Sequence, residues 1–161
     1  ENGLRFCQLR AKNITDDVFA EVAIPTIQLC HSYNAKLLLN GKIELLHMFP
    51  QADGLQLASN EIYKFKKRPI PLDKWLGVSV HTDEDIAQAL KLNADFLLLS
   101  PVKETTSHPG VPGLGWDLFA QKVKDVPVPV FALGGMKSDD LNEAKKQGAH
   151  GIAAISGFWP S

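Results

Sequence analysis

No apolar run in these 161 residues approaches the roughly 18–20 that a helix needs to cross a bilayer, so a helical membrane span is excluded. The opening ENGLRFCQLR lacks the basic start and apolar stretch of a signal peptide. It also lacks an initiator methionine and runs almost at once into a strand pattern, so natural sequence is expected to precede Glu1. Cysteine is scarce. Cys7 and Cys30 permit one bridge at most, and each lies in an apolar stretch where a buried free thiol is the usual state. Reduced thiols and a cytoplasmic location are the expectation. Charge of one sign is missing too: 17 basic and 18 acidic side chains leave −1, which gives no field for nucleic acid or anionic lipid. The histidines, at 31, 47, 81, 108 and 150, have no zinc-like spacing, and no GxGxxG turn marks a dinucleotide-binding sheet.

What is present is ordinary globular composition, 45% apolar and 22% charged, in a length that suits a single domain over residues 1–161. Short apolar runs recur with a regular beat: LRFCQLR (4–10), KLLLN (36–40), DGLQL (53–57), LGVSV (76–80), DFLLLS (95–100), VPVFALG (128–134) and GIAAIS (151–156). Helical periodicity lies between them, at 16–33, 42–48, 60–67, 83–93, 116–123 and 138–147. Such alternation predicts βα units and a parallel sheet, and continuous runs such as Leu97-Leu98-Leu99 predict strands buried on both faces. Thr82 with Asp83, Glu84 and Asp85 predicts a capped helix start, and Ser138 with Asp139 and Asp140 repeats the pattern. Gly148 is placed for a left-handed C-cap, and Pro25 is expected to kink its helix or start a second one. Seven strands fall one short of an eight-stranded TIM-type (β/α)8 barrel, so the predicted fold is that barrel lacking its first βα unit. Unpaired sheet edges favour covering or association, which makes a homodimer an expectation.

Residues two apart on a strand share a face, and this places polar side chains at the strand ends. Gln8, Arg10 and Lys12 form one row, which suits a diphosphate at a barrel mouth and equally suits a solvated strand end. Asn40 ends its strand, Gln56 interrupts an apolar one, and Ser79 and His81 share a face. The loop of residues 100–116 is long for a compact domain, and Thr105, Thr106, Ser107 and His108 offer it hydroxyls and a ring nitrogen. Anion contact and plain loop solvation both fit those residues. Gly134-Gly135 before a helix start, with Ser156 and Gly157 after the last strand, predicts a phosphate site between the final two units. Glu61 is the acid near the third strand that a magnesium ion would use. No catalytic residue is assigned.

The ordered segments QLRAK, LLLNGK, ADGLQL, GVSVHT, LLLSPVKETTSHPG, FALGGM and GAHGIAAIS resemble the thiamine phosphate synthase and thiazole tautomerase family of small barrels over nearly the whole chain, starting at that family's second strand. The resemblance implies a transferase that joins an aminopyrimidine diphosphate to a thiazole phosphate with loss of pyrophosphate, magnesium holding the leaving group. It implies that Gln8, Arg10 and Lys12 meet the pyrimidine and diphosphate, Ser79 the diphosphate, Thr105 and Ser107 the thiazole phosphate, and Gly134, Gly135 and Ser156 a phosphate cup. Asn40 matches an Asn-Asp pair, but Gly41 stands where that pair has its aspartate, Glu61 where the second metal aspartate falls, and His108 where a loop lysine falls. Pro101 takes the place of the tautomerase histidine. SHPGVPGLGW and GAHGIAAISGFW resemble the subgroup in which this barrel follows a Nudix hydrolase, which implies such a domain in cis and a binding module as the alternative to an enzyme.

Overall fold

The computed structural model describes residues 4–11, 14–105, 110 and 112–158. Its elements run β1 (Phe6–Leu9), α1 (Asp16–Ser32), β2 (Lys36–Asn40), α2 (Glu44–Met48), β3 (Gly54–Leu57), α3 (Ser59–Ile62), β4 (Trp75–Val80), α4 (Asp83–Lys91), β5 (Phe96–Leu99), α5 (Gly115–Val123), β6 (Val130–Leu133), α6 (Leu141–Lys146) and β7 (Gly151–Ala153). Short 3-10 turns add Ser138–Asp140 and Ser156–Phe158. All seven strands are parallel and pair in chain order, each with its sequence neighbour.

The sheet is curled. Flat strands lie about 4.8 Å apart, so β1 and β5 would be separated by roughly 19 Å. Yet Phe6 on β1 meets Phe96 on β5 at 5.9 Å and Trp75 on β4 at 5.3 Å between ring centroids. These rings touch across the inside of an open barrel whose gap lies between β7 and β1. The seven-stranded α/β barrel predicted from the sequence is therefore what forms.

Alternation sorts each strand into an outer and an inner row. Leu37, Leu39, Leu55, Leu57, Leu76, Val78, Val80, Leu97, Leu99, Val130 and Ala132 face outward into one core with the helices, which contribute Phe19, Ala23, Ile27, Ile86, Ala89, Phe119 and Ala144. The inner row is divided. Leu38, Phe96 and Leu98, with Phe131, Leu133 and Ala153, make the apolar part, and the polar part belongs to β1–β4.

Two aspartates close the N-terminal end. Asp53 accepts from the Leu37 N–H at 2.9 Å and pairs with Lys36 at 3.0 Å and His31 at 2.8 Å. Asp95 accepts from the Leu76 N–H at 2.6 Å and pairs with Arg68 at 2.8 Å. Burial pushes the Asp53 carboxyl up, and the bonds from Leu37, His31 and Lys36 outweigh it and hold the group below its ordinary value.

Helix α1 runs through Pro25 as one element. Pro25 and Glu21, whose carbonyl loses its partner, are both exposed, so the missing bond falls on the solvent side of the helix. Helix α3 stops far short of the expected 60–67, because Arg68 beyond it is drawn to Asp95 and to the carbonyls of Lys74 and Asn93. Thr82 and Asp85 form the expected reciprocal cap of α4, and Gly148 has φ +88° after α6. Both cysteines are free thiols, and burial, then the neighbouring Cys7, pushes the Cys30 thiol up to about 11. Among the described residues no helix is long and apolar enough to cross a membrane.

Candidate functional site

The C-terminal ends of the strands form the open mouth of the barrel, and four of the expected residues meet there in one hydrogen-bonded chain. Asn40 Nδ2 donates to Gln8 Oε1 at 3.3 Å, and Gln8 Nε2 donates to Gln56 Oε1 at 3.0 Å. Gln56 Nε2 then donates to Ser79 Oγ at 3.1 Å. The chain crosses β2, β1, β3 and β4, because register aligns Asn40 with Gln56 and Gln56 with Gly77. Gln8 is exposed, Asn40 and Ser79 half-buried, and Gln56 wholly buried. Gln56 was expected to touch a ligand. Its depth instead makes it reach the mouth only through Gln8 and Ser79. Room for it comes from Gly77, where a β-carbon would lie 2.1 Å from Gln56 Oε1.

Arg10 lies one residue past β1 and is exposed, on the face it shares with Gln8. Lys12, Ser107 and His108 lie outside the described residues. His81 turns toward β5: its Nδ1–H donates to the Ser100 carbonyl at 2.7 Å, which ties the ends of the two strands together. Asp85 accepts from the His81 N–H at 2.8 Å and from the Tyr63 hydroxyl at 2.8 Å, so the segment after β4 is fixed from two sides.

The expected phosphate turn is built by close backbone packing. Gly134 and Gly135 have φ +97° and +66°, and a β-carbon on them would lie 2.7 Å from Pro101 Cα and 2.7 Å from the Glu104 carbonyl, respectively. One on Gly157 would lie 2.2 Å from the Met136 carbonyl. The loops after β5, β6 and β7 thus interlock, with Val102 N–H bonded to Leu133 O and Lys103 N–H to Gly134 O. Leu114 and Gly115 bond back to Pro101 and Val102, which ties off the base of the long loop carrying the half-buried Thr105.

The helix start beyond the glycines differs from expectation. It is a 3-10 turn capped at Lys137, not Ser138, and Asp140 accepts the Lys137 N–H at 2.9 Å. Lys103 pairs with the same carboxylate at 2.6 Å and holds it below its ordinary range. Asp139 and Asp140 occupy the place where the helix dipole was expected to favour an anion. An anion here depends on the glycine amides and Ser156, which is exposed.

Magnesium fits poorly. Both Glu61 oxygens accept from Lys64 at 2.7 Å, and Gly41 offers no carboxylate beside Asn40. No group of three or more His, Cys, Asp or Glu side chains that could hold a metal occurs among the described residues.

Sequence reasoning missed the two aspartate clamps. Their signal was the repeated Ala-Asp before a strand, Ala52-Asp53 and Ala94-Asp95. It also missed Gly77, although a glycine inside a strand marks a close approach.

The family model described as thiamine monophosphate synthase matches residues 1–158. A thiamine-phosphate synthase of Prochlorococcus marinus is 30% identical over 155 residues, covering 96% of this chain and 44% of that protein. One of Fusobacterium nucleatum is 27% identical over 159 residues, covering 98% of this chain and 77% of that protein. The structure of thiamine phosphate pyrophosphorylase from Pyrococcus furiosus superposes with a TM-score of 0.74 at 26% identity, over 93% of this chain and 71% of that one. The chain therefore spans less than half of the Prochlorococcus relative and about three quarters of the other two. The expected Nudix partner rests on sequence resemblance alone. From the curled parallel sheet, the polar mouth and these matches, the chain belongs to the thiamine monophosphate synthase family.

Proposed function

We propose that the mouth binds phosphorylated pyrimidine and thiazole compounds and transfers the aminopyrimidine group to thiazole phosphate with release of pyrophosphate. The observation that carries this reading is the chain Asn40–Gln8–Gln56–Ser79 at the strand ends, with Arg10 beside it. In the reaction the bond from the pyrimidine methylene to the diphosphate breaks and its electron pair leaves on the pyrophosphate. The thiazole nitrogen supplies the pair for the new bond. No general base is needed, and the protein's work is to stabilise departing negative charge. Arg10 offers a forked, permanently charged donor for that purpose, and Ser79 and Gln8 offer neutral donors. Thr105, Gly134, Gly135, Ser156 and Gly157 are assigned to the thiazole phosphate. The donor set described above does not suit a resident magnesium, and no step is assigned to one.

Thiamine phosphate formation from the pyrimidine diphosphate and thiazole phosphate, followed by chromatography with and without magnesium, tests this reading. Product is expected. Its absence from a protein shown folded by circular dichroism would overturn the transferase.

A second reading is favoured by Gly41 and by the engagement of Glu61 with Lys64: the barrel binds these phosphates without turning them over, as a module of a larger protein such as a Nudix hydrolase. Pyrophosphate binding without product would select it.

A further inference from the structure

We propose that Gln56, with Gly77 opposite, is a positioning residue that fixes the hydrogen-bond polarity of the mouth, so that Ser79 presents a proton to an oxyanion and Asn40 presents a carbonyl oxygen to a donor. The inference rests on the reading of the mouth as a ligand site and concerns how that site's donors and acceptors are set.

Gln56 has no exposed surface, on a lumen whose apolar part is Leu38, Phe96 and Leu98. Burying an amide costs free energy unless its polar atoms are bonded, and leucine would occupy the place without that cost. The amide is bonded at both ends, to Gln8 and to Ser79. Its place exists only because residue 77 has no side chain, since a β-carbon there would lie 2.1 Å from Gln56 Oε1 and 2.5 Å from Phe96 Cζ.

Direction follows from the bonds. Gln56 gives an N–H to Ser79 Oγ, so the serine's own proton points away from Gln56. Gln56 takes an N–H from Gln8, whose carbonyl takes one from Asn40, so Asn40 keeps its carbonyl oxygen for the mouth. Each amide sets the next. A change at Gln56 is therefore felt at Ser79 and Gln8, which the ligand reaches, although the ligand does not reach Gln56 itself.

The test is calorimetric titration of inorganic pyrophosphate into the full chain and into Gln56→Leu, Ser79→Ala and the double variant. Each single change is expected to weaken binding by about tenfold, the scale of one hydrogen bond. The double variant is expected to fall by much less than the product of the two, because Gln56 acts through Ser79. Unchanged affinity in Gln56→Leu, or losses that simply multiply, would overturn the proposal. Should Gln56→Leu not fold, Gln56→Glu serves in its place: its carboxylate draws the Ser79 proton inward, and the same loss is expected. Should the unaltered protein bind no pyrophosphate, the ligand reading fails, and side-chain amide NMR of the free protein decides the inference separately. Gln8 amide protons that shift in Gln56→Leu support it, and unshifted ones overturn it.

Discussion

Arg10 brings a permanent charge beside a hydrogen-bonded chain of neutral amides and a hydroxyl. Arg10→Ala is expected to weaken pyrophosphate binding by about 1.5–3 kcal/mol, the range for hydrogen bonds to charged groups. Calorimetry checks this, and unchanged affinity removes Arg10 from the site. Gly41 is a second informative position. A β-carbon there meets only the end of the Leu45 side chain, Cδ1 at 2.8 Å, which can turn aside. Gly41→Asp is expected to fold normally and to place a carboxylate beside Asn40, giving pyrophosphate binding a magnesium dependence measurable by titration with and without the ion. The convergence of Gln8, Asn40 and Ser79 was legible because alternation fixes the face of a strand residue. The depth of Gln56 was not, because it depends on Gly77 and Phe96 of other strands, which no local pattern connects.

The elements were legible wherever their signals are local. Strand cores and the α4 cap follow from apolar runs and from Thr82 with Asp85. Thr82→Ala is expected to cost about 1 kcal/mol, the usual worth of such a cap, seen as a lower urea midpoint with an unchanged slope. Endings set by distant partners were illegible. Arg68 is held by Asp95 and curtails α3, and Asp140 is shared between Lys137 and Lys103, which remakes the start of the last helix. Pro25 signalled a break that exposure to water makes unnecessary.

The whole molecule uses different chemistry at its two ends. Ion pairs on Asp53 and Asp95 close the N-terminal end, and neutral amides line part of the mouth. Because the folded Asp53 carboxyl lies below its ordinary value of 3.8, its contribution to stability is complete above that value and is lost as pH falls through the folded one. Asp53→Asn is expected to lower the melting temperature at pH 7 and to reduce its acid dependence below about pH 4, checked by thermal unfolding across that range. An equal acid slope in both proteins would remove Asp53 as the source. Inside, β1–β4 contribute amides and a hydroxyl alongside Phe6 and Leu38, and β5–β7 contribute Phe96, Leu98, Phe131, Leu133 and Ala153. A planar ring held at the mouth as proposed would have the amides of Gln8 and Asn40 on one side and Leu98 and Leu133 on the other, which favours one way to lie. For the transferase proposed above, substitution at a methylene on that ring is expected from one side only, so a chirally deuterated methylene would be found in the product with one configuration.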